Sequence, residues 1–381
     1  MSTIEDLTRN AVDVLPQGAL EAKLKLGRPL RVKFGIDVTA PDVHIGNAIP
    51  LQRMRAFQDA GHLGVLIIGD YTTRIGDPSG RSAERPILSP EEIDRNAQTY
   101  LAQAGKVIDL DRTEVRFNGE WLAKLDFAEV LRITRTLTVA QLLERDDFAK
   151  RFAAREPISV SELLYPLMQG YDSVAVNADV ELGGTDQLYN LLAGRALQEA
   201  YGQEPQIVLT TPLILGFDGE KMSASRNNYV GLAEPPEEQF GKVMRISDEL
   251  LPDYYRLVAQ TELPGGEPMQ AKLALARWIV ARSHGKEAAV EAEAHFTRVV
   301  REGQAPDEVP DAPLPDGDPV HLPAALAAAF GLSTSEARRL IAQGGVKVDG
   351  SVVQELDVPR GSLLHATVQA GKRRFVRFAG A

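Results

Sequence analysis

The sequence predicts an α/β chain: a Rossmann-like, doubly wound parallel sheet, then an α-helical domain, then a small α+β unit. Three observations carry this. Two short apolar runs rich in β-branched residues, LRVKFGID (Leu30–Asp37) and LGVLIIGD (Leu63–Asp70), flank the helical pattern AIPLQRMRAFQDAG, and strand–helix–strand is the unit of a parallel sheet. From about Leu232 the texture turns helical, through EPPEEQFGKVMRI, DELLPDYYRLVA and QAKLALARWIVARSHG. Beyond a Pro- and acid-rich stretch, the residues from Val320 onward read as two short helices followed by the strands VKVDG and KRRFVRF.

Taken in order, each element has a reason. In the first helix Ile49, Met54 and Phe57 fall on one face, and Gly61 suits its C-terminal cap. PQIVLTTPLILG (Pro205–Gly216) is a further buried strand, broken by Pro212. A doubly wound sheet binds ligands outside the carboxyl ends of its strands, and polar clusters follow Phe34 and Ile68 at such ends. The expected divisions are 1–231 for the sheet domain, 232–304 for the helical domain, 305–319 for an extended linker and 320–381 for the last unit.

An apolar fraction of 44% and a charged fraction of 25% over 381 residues are ordinary for a soluble globular chain. The absence of cysteine excludes disulfides and thiolate metal sites, and six scattered histidines argue against structural zinc. No run approaches a membrane span and MSTIEDLTRN lacks a signal pattern, so a cytoplasmic protein without membrane contact is expected. The net charge of −11 argues against a general nucleic-acid or DNA binder. From Val320 onward, however, eight Lys and Arg face four Asp and Glu, a net of +4 that leaves −15 on the rest. An acidic body with a basic tail suits one segment touching phosphate.

Four constellations could carry chemistry. In His44-Ile45-Gly46-Asn47, Gly46 permits close approach of a ligand, and a helix N-terminus favours phosphate. The plain alternative is capping by Asp42 with His44 on the surface. In GDPSGRSAER, Asp77 offers a carboxylate while Arg81 and Arg85 offer forked cations suited to polyphosphate, or to a loop salt bridge. Tyr165, Gln169 and Asp172 share one helix face, presenting phenol, amide and carboxylate amid apolar neighbours. GGTDQ then gives a close turn and an acceptor, Asp186, with an internal hydrogen-bond network as the alternative. Finally, GFDGEKMSASRNN is a glycine turn leading to Lys221, Ser223, Ser225 and Arg226, suited to phosphate or simply solvated.

The order HIGN, GDPSG, QGYD, GGTDQ and KMSAS closely resembles the bacterial tyrosyl-tRNA synthetases, class I aminoacyl-tRNA synthetases with HIGH and KMSKS signatures. The resemblance runs from about Leu30 to the C-terminus, where LSTSEARRLIAQGGVKVDGSVV resembles the S-four-like RNA-binding domain. It implies a catalytic domain that activates L-tyrosine with ATP and Mg2+ and transfers it to tRNA-Tyr, in a homodimer without a bound prosthetic group or resident metal. By family position, His44, Asn47, Thr39, Lys221, Arg81 and Arg85 are expected to be catalytic. ATP is expected on His44, Gly46, Asn47, Gly184, Asp186, Lys221, Met222, Ser223 and Ser225, and tyrosine on Gly35, Asp37, Asp77, Tyr165, Gln169, Asp172 and Gln187. Arg338, Arg339, Lys347, Lys372, Arg373 and Arg374 are the expected tRNA contacts.

The sequence departs from the family pattern at four places. Asn47 replaces the last His of HIGH, and its amide N–H can substitute for an imidazole donor. Pro50 sits inside the first helix, Ala224 stands where KMSKS has its second lysine, and Lys33 stands where one branch has a tyrosine facing the substrate hydroxyl. Arg81, Arg85 or Arg226 could supply the missing charge. The rivals are a tryptophanyl-tRNA synthetase, which shares this fold and often KMSAS, a small-molecule nucleotidylyltransferase, and a non-catalytic RNA-binding paralogue. Gln169 with Asp172 and the basic C-terminal unit stand against the first two, and the retained His44, Asp77, Asp172, Asp186 and Lys221 against the third.

Overall fold

The computed structural model describes residues 3–78, 88–301, 309–371 and 374–379, with Ser225, Val300 and Arg301 described by backbone alone. Arg81, Arg85, Lys372 and Arg373, and the side chain of Ser225, therefore lie outside the described residues. The chain divides into two compact units, Met1–Pro235 with Lys242–Leu275, and Pro236–Gly241 with Ala276–Ala381. The helical segment expected over 232–304 is shared between them.

In the first unit, β1 (Asp13–Leu15), β2 (Arg31–Ile36), β3 (Leu63–Ile68), β4 (Thr113–Phe117), β5 (Val180–Gly184) and β6 (Ile207–Thr211) form one sheet in the order β1-β6-β5-β2-β3-β4. All neighbours are parallel except β1, which runs antiparallel to β6. The chain leaves β2 for β3 on one side and reaches β5 on the other, so β2 and β5 flank the topological switch point where such sheets bind ligands. At that boundary Lys33 on β2 stands directly opposite Glu181 on β5.

The helix after β2, Ile45–Asp59, buries Ile49, Met54 and Phe57 on the face predicted from their spacing, and Gly61 turns the chain at φ +93°. Pro50 lies within it and removes the N–H that would reach the Gly46 carbonyl four residues back. Helix Val160–Val176 packs closely on helix Leu188–Ala200. A Cβ on Gly170 would lie 3.2 Å from the Gly194 Cα, so only glycine there lets the two backbones meet.

In the second unit, β7 (Asp311–Pro313), β9 (Val346–Val348), β10 (Ser351–Val352), β12 (Thr367–Ala370) and β13 (Arg374–Ala379) form a sheet in the order β10-β9-β12-β13-β7, while β8 (Val320–His321) pairs with β11 (Asp357–Val358). The two helices read from the sequence are Leu322–Phe330 and Thr334–Ala342, and they bury Leu326 and Ile341 with Val346, Val368 and Phe378. The stretch expected as a free linker is partly built in. Asp311–Pro313 runs parallel to β13 at the sheet edge, and Leu314 joins the core. An edge position tolerates proline because its missing N–H faces away from the ladder.

Candidate active site

A cleft of about 620 Å³ opens at the carboxyl ends of the strands of the first sheet. It gathers residues that the sequence scatters from Phe34 to Tyr229. Two chemically different ends share it.

At one end stands the helix entrance. The cap is His44 and not Asp42, whose carboxylate instead accepts from the Tyr229 hydroxyl at 2.8 Å. His44 Nδ1 accepts the Asn47 N–H at 3.3 Å, and Asn47 Oδ1 accepts the His44 N–H at 3.2 Å, a reciprocal capping box. Burial, then the nearby Lys221 cation, lowers the His44 pKa to about 4, so the ring is neutral at pH 7. With Nδ1 occupied as acceptor, the single ring proton sits on Nε2. Capping therefore fixes the tautomer and leaves a donor available at a helix N-terminus. Asn47 likewise commits its oxygen to the cap and keeps its NH2 group. A Cβ on Gly46 would lie 2.9 Å from His44 Nδ1 and 3.2 Å from Ile214 Cγ2, so this glycine is required by close packing. Thr39 and Gly184 line the same end. Lys221 pairs with Asp186 at 2.6 Å, both partly exposed. Met222 is buried and donates its N–H to Ile214 O at 3.1 Å, while the Ser223 N–H reaches Asn228 Oδ1 at 2.8 Å. Arg226, considered as a substitute cation, lies 3.5 Å from Glu220 on an exposed surface.

The other end is a buried polar floor. Asp172 is 3% exposed; Trp121 Nε1 donates to its Oδ1 at 2.8 Å and Asn118 Nδ2 to its Oδ2 at 3.2 Å. Desolvation raises its pKa to about 7, opposed by Lys33 and the two donors. Tyr165 donates its hydroxyl to Asp37 at 2.9 Å, and Thr72 donates to the other Asp37 oxygen at 2.7 Å. Asp37 thus orients Tyr165, which lines the cleft and whose own oxygen can still accept. Burial and Asp37 push the Tyr165 pKa far upward, so it stays neutral. Gln169 gives its amide N–H to Glu181 at 3.3 Å, which leaves its oxygen as an acceptor. Gly35, on β2, lines the floor.

Between the ends, Asp77 accepts from Gln187 at 2.6 Å and from Arg145 at 3.3 Å, and Asn190 closes the ring by donating to Gln187 at 2.9 Å while accepting from Arg145 at 3.1 Å. The structure therefore brings Gly35, Asp37, Asp77, Tyr165, Gln169, Asp172 and Gln187 into the same cleft as His44, Gly46, Asn47, Asp186 and Lys221. Sequence reasoning missed Asn118, Trp121, Arg145 and the buried placement of Lys33. Lys33 does not face the cleft as a substitute for tyrosine. It is fully buried, 2.8 Å from Glu181, and donates to Gln169 O and Ser173 Oγ. A signal for it existed: one lysine in the apolar run LRVKFGID and one glutamate in VELGG are costly to bury unless they pair.

In the second unit Arg338, Arg339 and Arg374 are exposed and Lys347 is half-buried on β9. Arg338 stands 3.5 Å from His321 Nε2, whose Nδ1 meets Asp357 at 2.7 Å.

Residues 25–301 match the family described as tRNA synthetases class I (W and Y), and residues 322–358 match the S4 domain. The tyrosine--tRNA ligase of Moorella thermoacetica is 49% identical, covering 97% of this chain and 94% of that protein. That of Thermotoga maritima is 47% identical over 99% and 97% of the two chains, and that of Ralstonia nicotianae 50% over 92% of each. Among solved structures, the tyrosyl-tRNA synthetase of Archaeoglobus fulgidus complexed with L-tyrosine aligns with a TM-score of 0.63 at 21% identity, covering 76% of this chain and 98% of that one, which shows the shared fold. The family description spans two amino acids, and the near-full-length relatives narrow it to one: the chain belongs to the class I tRNA synthetases and, within them, to the tyrosine--tRNA ligases.

Proposed function

We infer that the chain is an ATP-dependent tyrosine--tRNA ligase, which forms tyrosyl-adenylate and pyrophosphate and then passes tyrosine to the 3′ end of tRNA-Tyr. The observation that carries this reading is Asp172, a buried acceptor at the floor of the cleft whose two oxygens are oriented by Trp121 and Asn118. A substrate phenol donating to it satisfies a group that is costly to leave bare. Tyr165, Gln169 and Asp77 then stand as acceptors for the ammonium group, with Asp37 and Gln187 orienting two of them.

The tyrosine carboxylate is already an anion, so attack on the α-phosphorus needs no general base. One carboxylate oxygen bonds to phosphorus as the α–β bridging oxygen leaves with pyrophosphate. The protein's work is to hold the reactants in line and stabilise charge on the transferring phosphate. We assign His44 Nε2–H and Lys221 to phosphate oxygens, Thr39 beside them, and Asn47, Asp186 and Gly184 to the ribose. Gly46 and Met222 flank the adenine, and the Ser223 and Ser225 backbone forms the loop. Arg81 and Arg85 remain candidate cations in place of Ala224. Mg2+ enters with the ATP phosphates as part of the substrate; no group of three or more His, Asp or Glu among the described residues forms a metal cage. Magnesium there supplies charge neutralisation of the leaving pyrophosphate.

Arg338, Arg339, Lys347, Lys372, Arg373 and Arg374 are assigned to tRNA phosphates, in keeping with the S4 match. A homodimer is supported by Phe127, Val139, Phe152 and Val160, large apolar side chains 61% to 75% exposed between β4 and β5. No helix among the described residues is long and apolar enough to cross a membrane. From the likeness to bacterial tyrosine--tRNA ligases we place the enzyme in the cytoplasm. Amino-acid-dependent exchange of pyrophosphate into ATP tests the central reading: tyrosine supports it, phenylalanine hardly does and tryptophan does not. Equal exchange with phenylalanine would overturn the assignment of Asp172.

A further inference from the structure

Beneath the floor of the cleft lies a buried charge cluster. Lys33, Glu181, Ser173 and Gln206 are all fully buried. The Lys33 ammonium meets Glu181 Oε1 at 2.8 Å, Gln169 O at 2.9 Å and Ser173 Oγ at 2.8 Å, so its three protons are all engaged. Glu181 in turn accepts from Ser173, Gln169 and Gln206. A Cβ on Gly194 would lie 3.2 Å from both Glu181 Oε2 and Ser173 Oγ, so the neighbouring helix closes the cluster from below. Neither charged residue lines the cleft, yet the cluster grips residues 169 and 173, which bracket Asp172 on the helix.

We propose that Lys33, pinned by Glu181, is a positioning residue for recognition of the tyrosine phenol, acting from below through the helix turn that presents Gln169 and Asp172. The inference rests on the tyrosine-activating reading above. A sheet-spanning ion pair is an expensive way to fill a core, since apolar side chains of similar volume serve stability as well or better. A charged pair has a property that an apolar one lacks: each member exerts a field. Lys33 favours the Asp172 carboxylate and Glu181 opposes it, Lys33 being the stronger of the two. Among the described residues, Asp37 just after β2, Asp77 in the loop after β3 and Tyr165 on the helix itself also face the cleft floor. Trp121 and Asn118 supply uncharged donors. The cluster thereby couples the orientation of Asp172 to its ionisation.

The test uses the full chain and three near-isosteric variants: Lys33→Met, Glu181→Gln and the two combined. Tyrosine-dependent pyrophosphate exchange is followed across the neutral pH range, and the midpoint at which KM for tyrosine improves with rising pH is read. Lys33→Met moves that midpoint upward by about one pH unit, as expected for loss of a neighbouring opposite charge. The double variant moves it upward by less, because the weaker opposing charge leaves with the stronger favouring one. Glu181→Gln moves it downward, and KM for ATP stays within about twofold throughout, since the nucleotide end is untouched. Should one single variant fail to fold, the order of the remaining three still decides the matter. Equal midpoints in every folded variant, or shifts of both single variants in the same direction, would overturn the proposal in favour of a pair that only braces the sheet. Failure of the unaltered chain to exchange with tyrosine would instead overturn the functional reading, so the two failures are distinct.

Discussion

The two ends of the cleft are built on opposite plans. At the floor Asp172, Tyr165 and Asp37 already have protein partners, and the helix turn is gripped from below. At the helix-entrance end two of the residues assigned to ATP, Lys221 and Asp186, pair with each other in partial exposure and in the proposed mechanism exchange that partner for the substrate. Specificity for a side chain needs a rigid acceptor, because discrimination is the cost of leaving that acceptor bare. Phosphoryl chemistry needs cations that follow moving charge, and an exposed pair is weak enough to be given up.

Removing the loop cation should give the largest effect. Lys221→Ala is expected to lower kcat for adenylate formation by roughly 10²-fold, in line with loss of one transition-state donor. KM for tyrosine and the melting temperature should change little; a matching rise in that KM would erase the distinction between the two ends. Next comes Asp172→Asn, expected to cost about 1–3 kcal/mol in tyrosine binding because the phenol loses a charged acceptor. Its pH dependence sharpens the comparison. The Asp172 pKa is raised to about 7 while that of His44 is lowered to about 4. An acid limb near neutrality in kcat/KM for tyrosine therefore belongs to Asp172, and should vanish in Asp172→Asn but persist in His44→Asn.

The same shift has a stability consequence. A carboxyl whose folded pKa lies above its unfolded value of 3.8 destabilises the fold progressively as pH rises through that interval and through about 7. Asp172→Asn should thus melt above the unaltered protein on the alkaline side, with the gap closing in acid. A uniform gap at all pH values would contradict the raised pKa. A smaller effect is expected in the second unit. Replacing Arg338, Arg339 and Arg374 together by Ala should flatten the salt dependence of tRNA binding by roughly one log–log unit for each phosphate no longer neutralised, while leaving tyrosine exchange intact. The smallest effect expected is that of Ala224→Lys, which should leave adenylate formation unchanged or modestly faster. A large loss there would mean that the loop geometry, and not its charge, differs from the family's.

How much of this was legible varies by region for physical reasons. β2, β3 and β6 were visible because buried parallel strands read as apolar β-branched runs, whereas β1 and β4 are short or half-exposed, and β5 was masked by the glycines of its own last turn. The residues that line the cleft were readable as motifs. Their supports were not, because Trp121, Asn118 and Arg145 come from segments that carry no periodic signal and meet the site only through tertiary packing. Pro-rich Asp311–Pro313 read as linker because extended chain looks alike whether or not a strand lies beside it.

Position 44 sets a trap for anyone improving this enzyme. One imidazole closes the helix with Nδ1 and, in the mechanism proposed above, offers Nε2 to phosphate, so folding and turnover would draw on the two sides of a single ring. Asp, Asn or Ser would start the helix as well or better. A library selected only for survival at high temperature would therefore drift toward those residues at position 44, yielding hardier molecules that have lost a phosphate donor. Sorting such a library for pyrophosphate release as well as heat resistance is what would keep histidine there.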